Sequence, residues 1–266
     1  AAARPDDPTL VALLAATLWD GGEIGEAKAF LASAVERVPA DAEAMAFVVR
    51  ALDTCREFAA ANAYLGRHAA LWADRPERLE AVLPRLLLTG QADAVVALTQ
   101  DVTRYPAQAS TWTLIQRGLA LAGANVPGGT AELLGVLESR PNDALAQNWR
   151  GVIERWKGMA EAEAAAVLNA TQPAFSAQPA DPLLAAVRAD AWLRVGENDK
   201  AAALLQTAAA AAPWWSRPWT RLAAIRQAQG RRAETLAAAA EAMGRAPGDV
   251  VAQEVFFTAA AGSAAQ

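Results

Sequence analysis

The chain has 266 residues, of which 24 are Lys or Arg and 29 are Asp or Glu, giving a net charge of −5 with 54% hydrophobic content. Interspersed charge of that sign, without a polybasic tail, excludes a basic nucleic-acid footprint. No apolar run reaches the roughly 18 residues that predict a transmembrane helix, so a soluble chain is expected.

Alanine supplies 71 residues while β-branched residues are sparse, which predicts an almost wholly helical chain. A single core of this length is near its usual limit, whereas stacked units that pack only on their neighbours have no such limit. Cys55 is the single cysteine, which excludes an internal disulfide and a cysteine-based zinc site. His68 is the single histidine, which excludes an HExxH zinc site. The start, Ala1-Ala2-Ala3-Arg4-Pro5, predicts a processed or excised chain.

The first predicted unit runs between Pro5 and Pro39, a spacing of 34. Its first helix carries Val11, Leu14, Ala15 and Leu18, Gly22 marks a turn, and its second helix carries Ala27, Leu31 and Ala34. Small residues at 15 and 27 let two antiparallel helices approach closely, and Leu14, Leu18 and Leu31 fill the space around that contact. Gly22 ends one helix at low cost, and Pro39 stops the other.

Units two to four are less regular, with proline spacings of 37, 30 and 35 (39 to 76, 76 to 106, 106 to 141). Unit two places Met45, Val48, Val49, Leu52, Ala61 and Leu65 at packing positions. Unit three puts Arg78 and Arg85 where large apolar residues are usual. Unit four contains Trp112 and a loop from Gly123 to Gly129. Unit five holds Trp149, Gly151, Ile153 and Trp156, with a second helix near 160–169. The stretch 171–179 is rich in turn and helix-breaking residues and predicts a connection.

The last third is the most regular: Pro179, Pro213 and Pro247 are each 34 residues apart. Helices are predicted over 181–195, 199–212, 216–229 and 232–245, with breaks at Gly196 and Gly230, and a final helix over 249–260. That final helix is apolar for a terminal cap, and the tail 262–266 is expected to be loose.

Period, small residues and prolines together make this chain resemble tetratricopeptide repeat proteins from about Pro5 to Ala260. The resemblance implies an all-α, right-handed α-solenoid of about seven helix-turn-helix repeats plus a C-terminal helix. Residues 1–172 hold repeats 1–5, 173–180 a connecting segment or hinge, and 181–266 repeats 6–7 and the terminal helix. Pro218-Trp219-Thr220-Arg221-Leu222 and Gln229-Gly230-Arg231-Arg232 are similar to units of periplasmic scaffold subunits in bacterial cellulose and exopolysaccharide export. Assembly factors for pili and cytochromes carry similar repeats.

The resemblance implies that the first helix of each repeat lines a concave groove. On that basis the partner-binding candidates are Arg50 and Asp53, Thr113 and Arg117, Asn148 and Arg155, Asp190, and Arg217, Thr220 and Gln227. Arg and Asn bind peptide backbone or carboxylate through charge-assisted and bidentate hydrogen bonds. The alternative for each is a solvated helix face. Of nine tryptophans, Trp112, Trp192 and Trp219 read as core, and Trp214 and Trp215 sit at an inter-unit corner. Trp19 and Trp156 fall on first-helix faces as candidate aromatic contacts, polysaccharide included.

No serine-elbow, Walker or dinucleotide-binding motif is present, and Cys55 with His68 lacks an orienting signature, so no catalytic residues and no cofactor or metal are predicted. Asn169-Ala170-Thr171 matches a glycosylation sequon, which the bacterial-looking composition discounts. The sequence reads as a non-enzymatic scaffold that binds a protein segment within a bacterial multiprotein assembly, periplasmic rather than cytoplasmic. The alternative is an accessory repeat domain of a larger polysaccharide synthesis or export protein.

Overall fold

The computed structural model describes residues 7–38, 41–74, 76–103, 109–123 and 129–261. Pro5, Pro39, Pro106, the centre of the loop between Gly123 and Gly129, and the tail 262–266 lie outside those residues. The described residues form fifteen α-helices and no strand. Seven helix pairs follow one another as tetratricopeptide-like hairpins and a single helix follows the last, so the fold is an all-α solenoid.

The pairs are α1 (Pro8–Asp20) with α2 (Ile24–Val35), α3 (Ala42–Thr54) with α4 (Phe58–Arg67), and α5 (Pro76–Leu88) with α6 (Ala92–Leu98). Then come α7 (Thr111–Gly123) with α8 (Gly129–Glu138), α9 (Ala144–Arg155) with α10 (Ala164–Ala177), and α11 (Pro182–Arg194) with α12 (Asn198–Ala211). Finally α13 (Arg217–Ala228) pairs with α14 (Arg232–Arg245), and α15 (Val250–Ala261) stands last. Short 3-10 turns occupy Ala69–Asp74, Gln100–Thr103 and Trp156–Gly158.

Local chemistry explains these boundaries. Asp7, Asp41, Asp143 and Asp181 cap first helices by accepting backbone N–H bonds, and the Asp249 carboxylate does the same for Ala252 N ahead of α15. Tight hairpin turns place a residue in the left-handed region, at Gly22, Gly90, Gly196 and Gly230 (φ 82°, 82°, 78° and 70°). Arg56 does this in the second hairpin with φ 57°, at a steric cost that glycine avoids.

The chain divides into two compact units, 1–82 and 83–266. In the first, Val11, Ala15, Ala27, Leu31 and Ala34 are buried as the packing spacing predicts, together with Met45, Val48, Leu52, Ala61 and Leu65. Leu14 is the exception at 45% exposed, beside Leu10 and Leu13, which are exposed too. In the second unit, one cluster gathers around Trp149 with Ile115, Leu119, Val152, Ile153, Val167 and Leu184, and another joins α11 to α15 through Ala189, Ala201, Leu205, Ala223, Ala239 and Val255. Small residues set the helix approach: a Cβ on Gly151 would lie 2.9 Å from the Ala170 carbonyl oxygen of α10.

Two expectations need correction here. The connection expected at 173–180 is mostly helix, because α10 runs from Ala164 to Ala177 through Pro173. Pro173 is exposed on the outer side of α10, while Val167, Thr171 and Ala174 are buried on the inner side, and that burial offsets the lost backbone bond. The division of the chain falls at 82/83 instead.

Packing is also not confined to adjacent hairpins. Arg85 of α5 is buried with its guanidinium 5.1 Å from the centre of the Trp214 ring, beyond α12, and Leu88 joins the cluster formed by Ala185, Ala186, Ala208, Ala212 and Trp215. An arginine thus stands where an apolar residue is usual, with an aromatic face against its guanidinium.

Equivalent ties recur between hairpins. The Thr111 hydroxyl bonds the Asp143 carboxylate, and the Thr220 hydroxyl bonds the Asp249 carboxylate at 2.7 Å. The Thr111 hydroxyl, then the Ala146 N–H, hold the Asp143 carboxyl below its ordinary pKa. A depressed folded-state pKa adds stability that is present above the unfolded value and is lost as pH falls through the folded one. Asp143→Ala is expected to lose about 1–2 kcal/mol at neutral pH. In urea unfolding that gap should close below about pH 4; a gap independent of pH would refute the assignment.

Candidate partner-binding site

The structure separates the candidate residues into three groups. In the first unit, Arg50 is exposed on α3 with its guanidinium 6.0 Å from the Phe47 ring centre, while Asp53 and Trp19 are half-buried. These three stay on the surface of α1 and α3.

A second group is internal, contrary to the groove assignment. Thr113 is buried beside Ser110, whose hydroxyl donates to the Thr113 Oγ1 at 3.1 Å. Arg117 is 9% exposed, and its Nη1 donates to the Val96 carbonyl and to Thr99 Oγ1, both at 3.1 Å. Thr220 is buried and donates to Asp249. All of α7 from Thr113 to Ala122 is buried, so its polar residues do not face an open groove.

The third group lines a single cleft. Trp156, Asp190 and Arg217 meet at a cleft of about 580 Å³ in the second unit. Trp156 belongs to the 3-10 turn that ends α9, not to the helix itself, and this turn swings Met159 and Ala160 into the same wall. Helix α11 contributes Leu183, Val187, Leu193 and Arg194 on the side of Asp190, and α13 adds Arg221 beside Arg217. The cleft is thus lined by the turn that follows α9 and by α11 and α13, the first helices of the next two hairpins. Asn148 is half-buried, and Arg155 and Gln227 are exposed; none of the three lines the cleft.

Charge in the cleft is organised by Asp190. Its carboxylate accepts from Arg217 Nη2 at 2.5 Å and from Arg221 Nε at 3.1 Å, joining α11 to α13. Both arginine side chains are nearly half exposed, so these pairs contribute little stability and remain open to competition. Arg194 is committed differently: it donates to the backbone carbonyls of Met159 and Ala162, fastening the turn after α9 onto α11. Arg221 and the apolar residues of α11 were not singled out by their types. The signal was register: Arg217 and Arg221 stand 34 residues after Leu183 and Val187 (217 − 183 = 34, 221 − 187 = 34), hence on the same face of the next first helix.

Other chemistry-bearing residues are held in the packing. The Cys55 thiol points at the Ala15 carbonyl oxygen, 3.7 Å away, and burial, reinforced by Glu57, pushes its pKa up, away from a nucleophilic thiolate. The His68 ring lies 4.6 Å from that of Tyr64. Asn169-Ala170-Thr171 lies inside α10, not in a loop, with the Thr171 hydroxyl buried on the Val167 carbonyl. Among the described residues no group of three or more His, Cys, Asp or Glu is placed to hold a metal ion, and no helix is long and apolar enough to cross a membrane.

No protein-family model matches the chain, and no curated protein matches it. Several solved structures are similar. The APC/C hetero-tetramer Cut9-Hcn1 is 15% identical with a TM-score of 0.46, over 93% of this chain and 48% of that one. A tetratricopeptide repeat protein from Parabacteroides merdae is 14% identical with a TM-score of 0.44, over 95% of this chain and 98% of that one. MamA from Desulfovibrio magneticus is 18% identical with a TM-score of 0.34, over 66% of this chain and 98% of that one. This chain therefore spans about half the length of the matched chain of the Cut9-Hcn1 complex and nearly all of the Parabacteroides protein.

Proposed function

We propose that the chain is a non-enzymatic interaction scaffold that holds a segment of a partner protein along the first-helix face of its stacked hairpins. The cleft between the end of α9, α11 and α13 carries this reading. It combines an open apolar surface with fixed charged groups on rigid helices, the composition of a peptide-binding surface. Its arginines sit on helices and not on loops, so they are oriented before the partner arrives.

Photo-crosslinking tests the reading. With a benzoylphenylalanine at Leu183, in the cleft, the full chain should crosslink to a partner polypeptide in cells of its source; at Ala203, exposed on the second helix α12, it should not. Equal crosslinking from both positions, or none from Leu183, would overturn it.

A second reading is favoured by one feature of α15, whose Val250, Val251 and Phe257 are exposed. A further hairpin would cover them, as in an accessory repeat region of a longer polysaccharide synthesis or export protein. The finer setting, a periplasmic assembly in a bacterium, rests on the alanine-rich composition and on the likeness at 218–222 and 229–232. Cell fractionation and the complete reading frame test both.

A further inference from the structure

The cleft has two walls of different chemistry. Positions that are Leu183 and Val187 on α11 become Arg217 and Arg221 on α13, one repeat later. Trp156 and Met159 extend the apolar wall on the other side of α11. A ligand lying across the two helices therefore meets apolar surface over one hairpin and guanidinium groups over the next.

Charge points to the sign of that ligand. Arg194, Arg217 and Arg221 against Asp190 leave the lining at +2 (3 − 1), in a chain whose net charge is −5. Each guanidinium has five N–H donors in a planar fork. Asp190 engages Nη2 of Arg217 and Nε of Arg221, and both side chains remain 46–47% exposed, so donors face solvent where a second anion can reach them. An extended polypeptide with an apolar residue and a carboxylate a few positions away covers both walls at once.

We propose that this cleft takes an acidic segment of the partner protein. A large apolar side chain seats against Trp156, Leu183 and Val187, and neighbouring Asp or Glu carboxylates pair with Arg217 and Arg221 in competition with Asp190. The proposal rests on the reading of the first-helix face as the partner-binding surface. It adds the chemistry of what is bound.

The test is fluorescence anisotropy with the full chain and two labelled ten-residue peptides. One carries a central Leu flanked by Asp and Glu; in the other, Asn and Gln replace the acids. The acidic peptide should bind at least ten-fold more tightly, with an advantage that shrinks as salt is raised. The double variant Arg217→Ala, Arg221→Ala should erase the advantage, while Arg37→Ala with Arg67→Ala, the same charge change in the first unit, should keep it. Unaltered thermal melting shows that the double variant is folded. Equal binding of the two peptides, or an unaffected double variant, overturns the proposal.

The outcomes separate the proposal from the reading beneath it. If the neutral peptide binds equally well and Leu183→Asp abolishes binding, the face holds a segment but does not select acids, and only the proposal falls. If neither peptide binds and Leu183 gives no crosslink, both fall. Self-association of the chain that Arg217→Glu abolishes in sedimentation would make a second copy the occupant and would also overturn it.

Discussion

Replacing Trp149 with alanine is expected to destabilise the 83–266 unit by about 3–5 kcal/mol, the largest single effect we predict. The side chain is 0% exposed at the centre of its cluster, with its ring edge-on to Trp112 at 5.5 Å between centroids. Its indole N–H donates to Gln178 Oε1 at 2.8 Å, tying α9 to the residue after α10. Alanine removes the apolar contact, leaves a cavity lined by Val152, Val167 and Leu184, and leaves the Gln178 carbonyl oxygen without this donor. Trp149→Phe should cost less, since most of the volume is kept and only the hydrogen bond is lost. Equilibrium urea unfolding followed by circular dichroism measures both; a loss below about 1 kcal/mol for the alanine variant would show that this cluster does not organise the unit.

The second large effect is expected at Arg188. Its guanidinium is buried and donates to the Leu168 carbonyl, Thr171 Oγ1 and Gln172 Oε1, each at 2.9 Å, with the Phe175 ring centre 4.7 Å from Cζ. Burial lowers its pKa without removing the charge from an arginine. Arg188→Ala leaves the buried Thr171 hydroxyl and the Leu168 carbonyl short of a donor and opens space beside Phe175, which should cost about 2–4 kcal/mol. Arg188→Lys should recover only part of that, because a single ammonium nitrogen cannot occupy the two positions from which Nη1 and Nη2 reach their acceptors. Full recovery by lysine in the same unfolding assay would argue that charge alone, and not the planar fork, holds α11 to α10.

Arg117 performs the same task in the fourth hairpin. It bonds the Val96 carbonyl and Thr99, which stand three residues apart as Leu168 and Thr171 do. Replacing Arg117 would therefore weaken folding. The arginines whose loss should touch binding alone are Arg217 and Arg221, which are half exposed and pair with Asp190.

The repeat, its turns and its small contact positions were legible because each is encoded within a few residues. An Asp before a helix, a Gly in the left-handed region and a small residue once per repeat act locally, so spacing alone located Ala15, Ala27, Ala189 and Ala201, all 0% exposed. The helix 232–245 was likewise bounded by a glycine turn before it and by proline after it.

What only the tertiary structure decided is which neighbour covers each face. Arg85, Arg117, Arg188, Arg217 and Arg221 all lie on first helices, yet the first three are buried on an aromatic ring or on carbonyls, and the last two open onto a cleft. Helical spacing tells which residues share a face but not what packs on it. Pro173 makes the same point: its ring favours a helix end, and the helix continues because Thr171 and Ala174 are buried on its inner side. Long-range packing supplies that burial free energy, and it outweighs local preference when the faces to be covered belong to residues dozens of positions away.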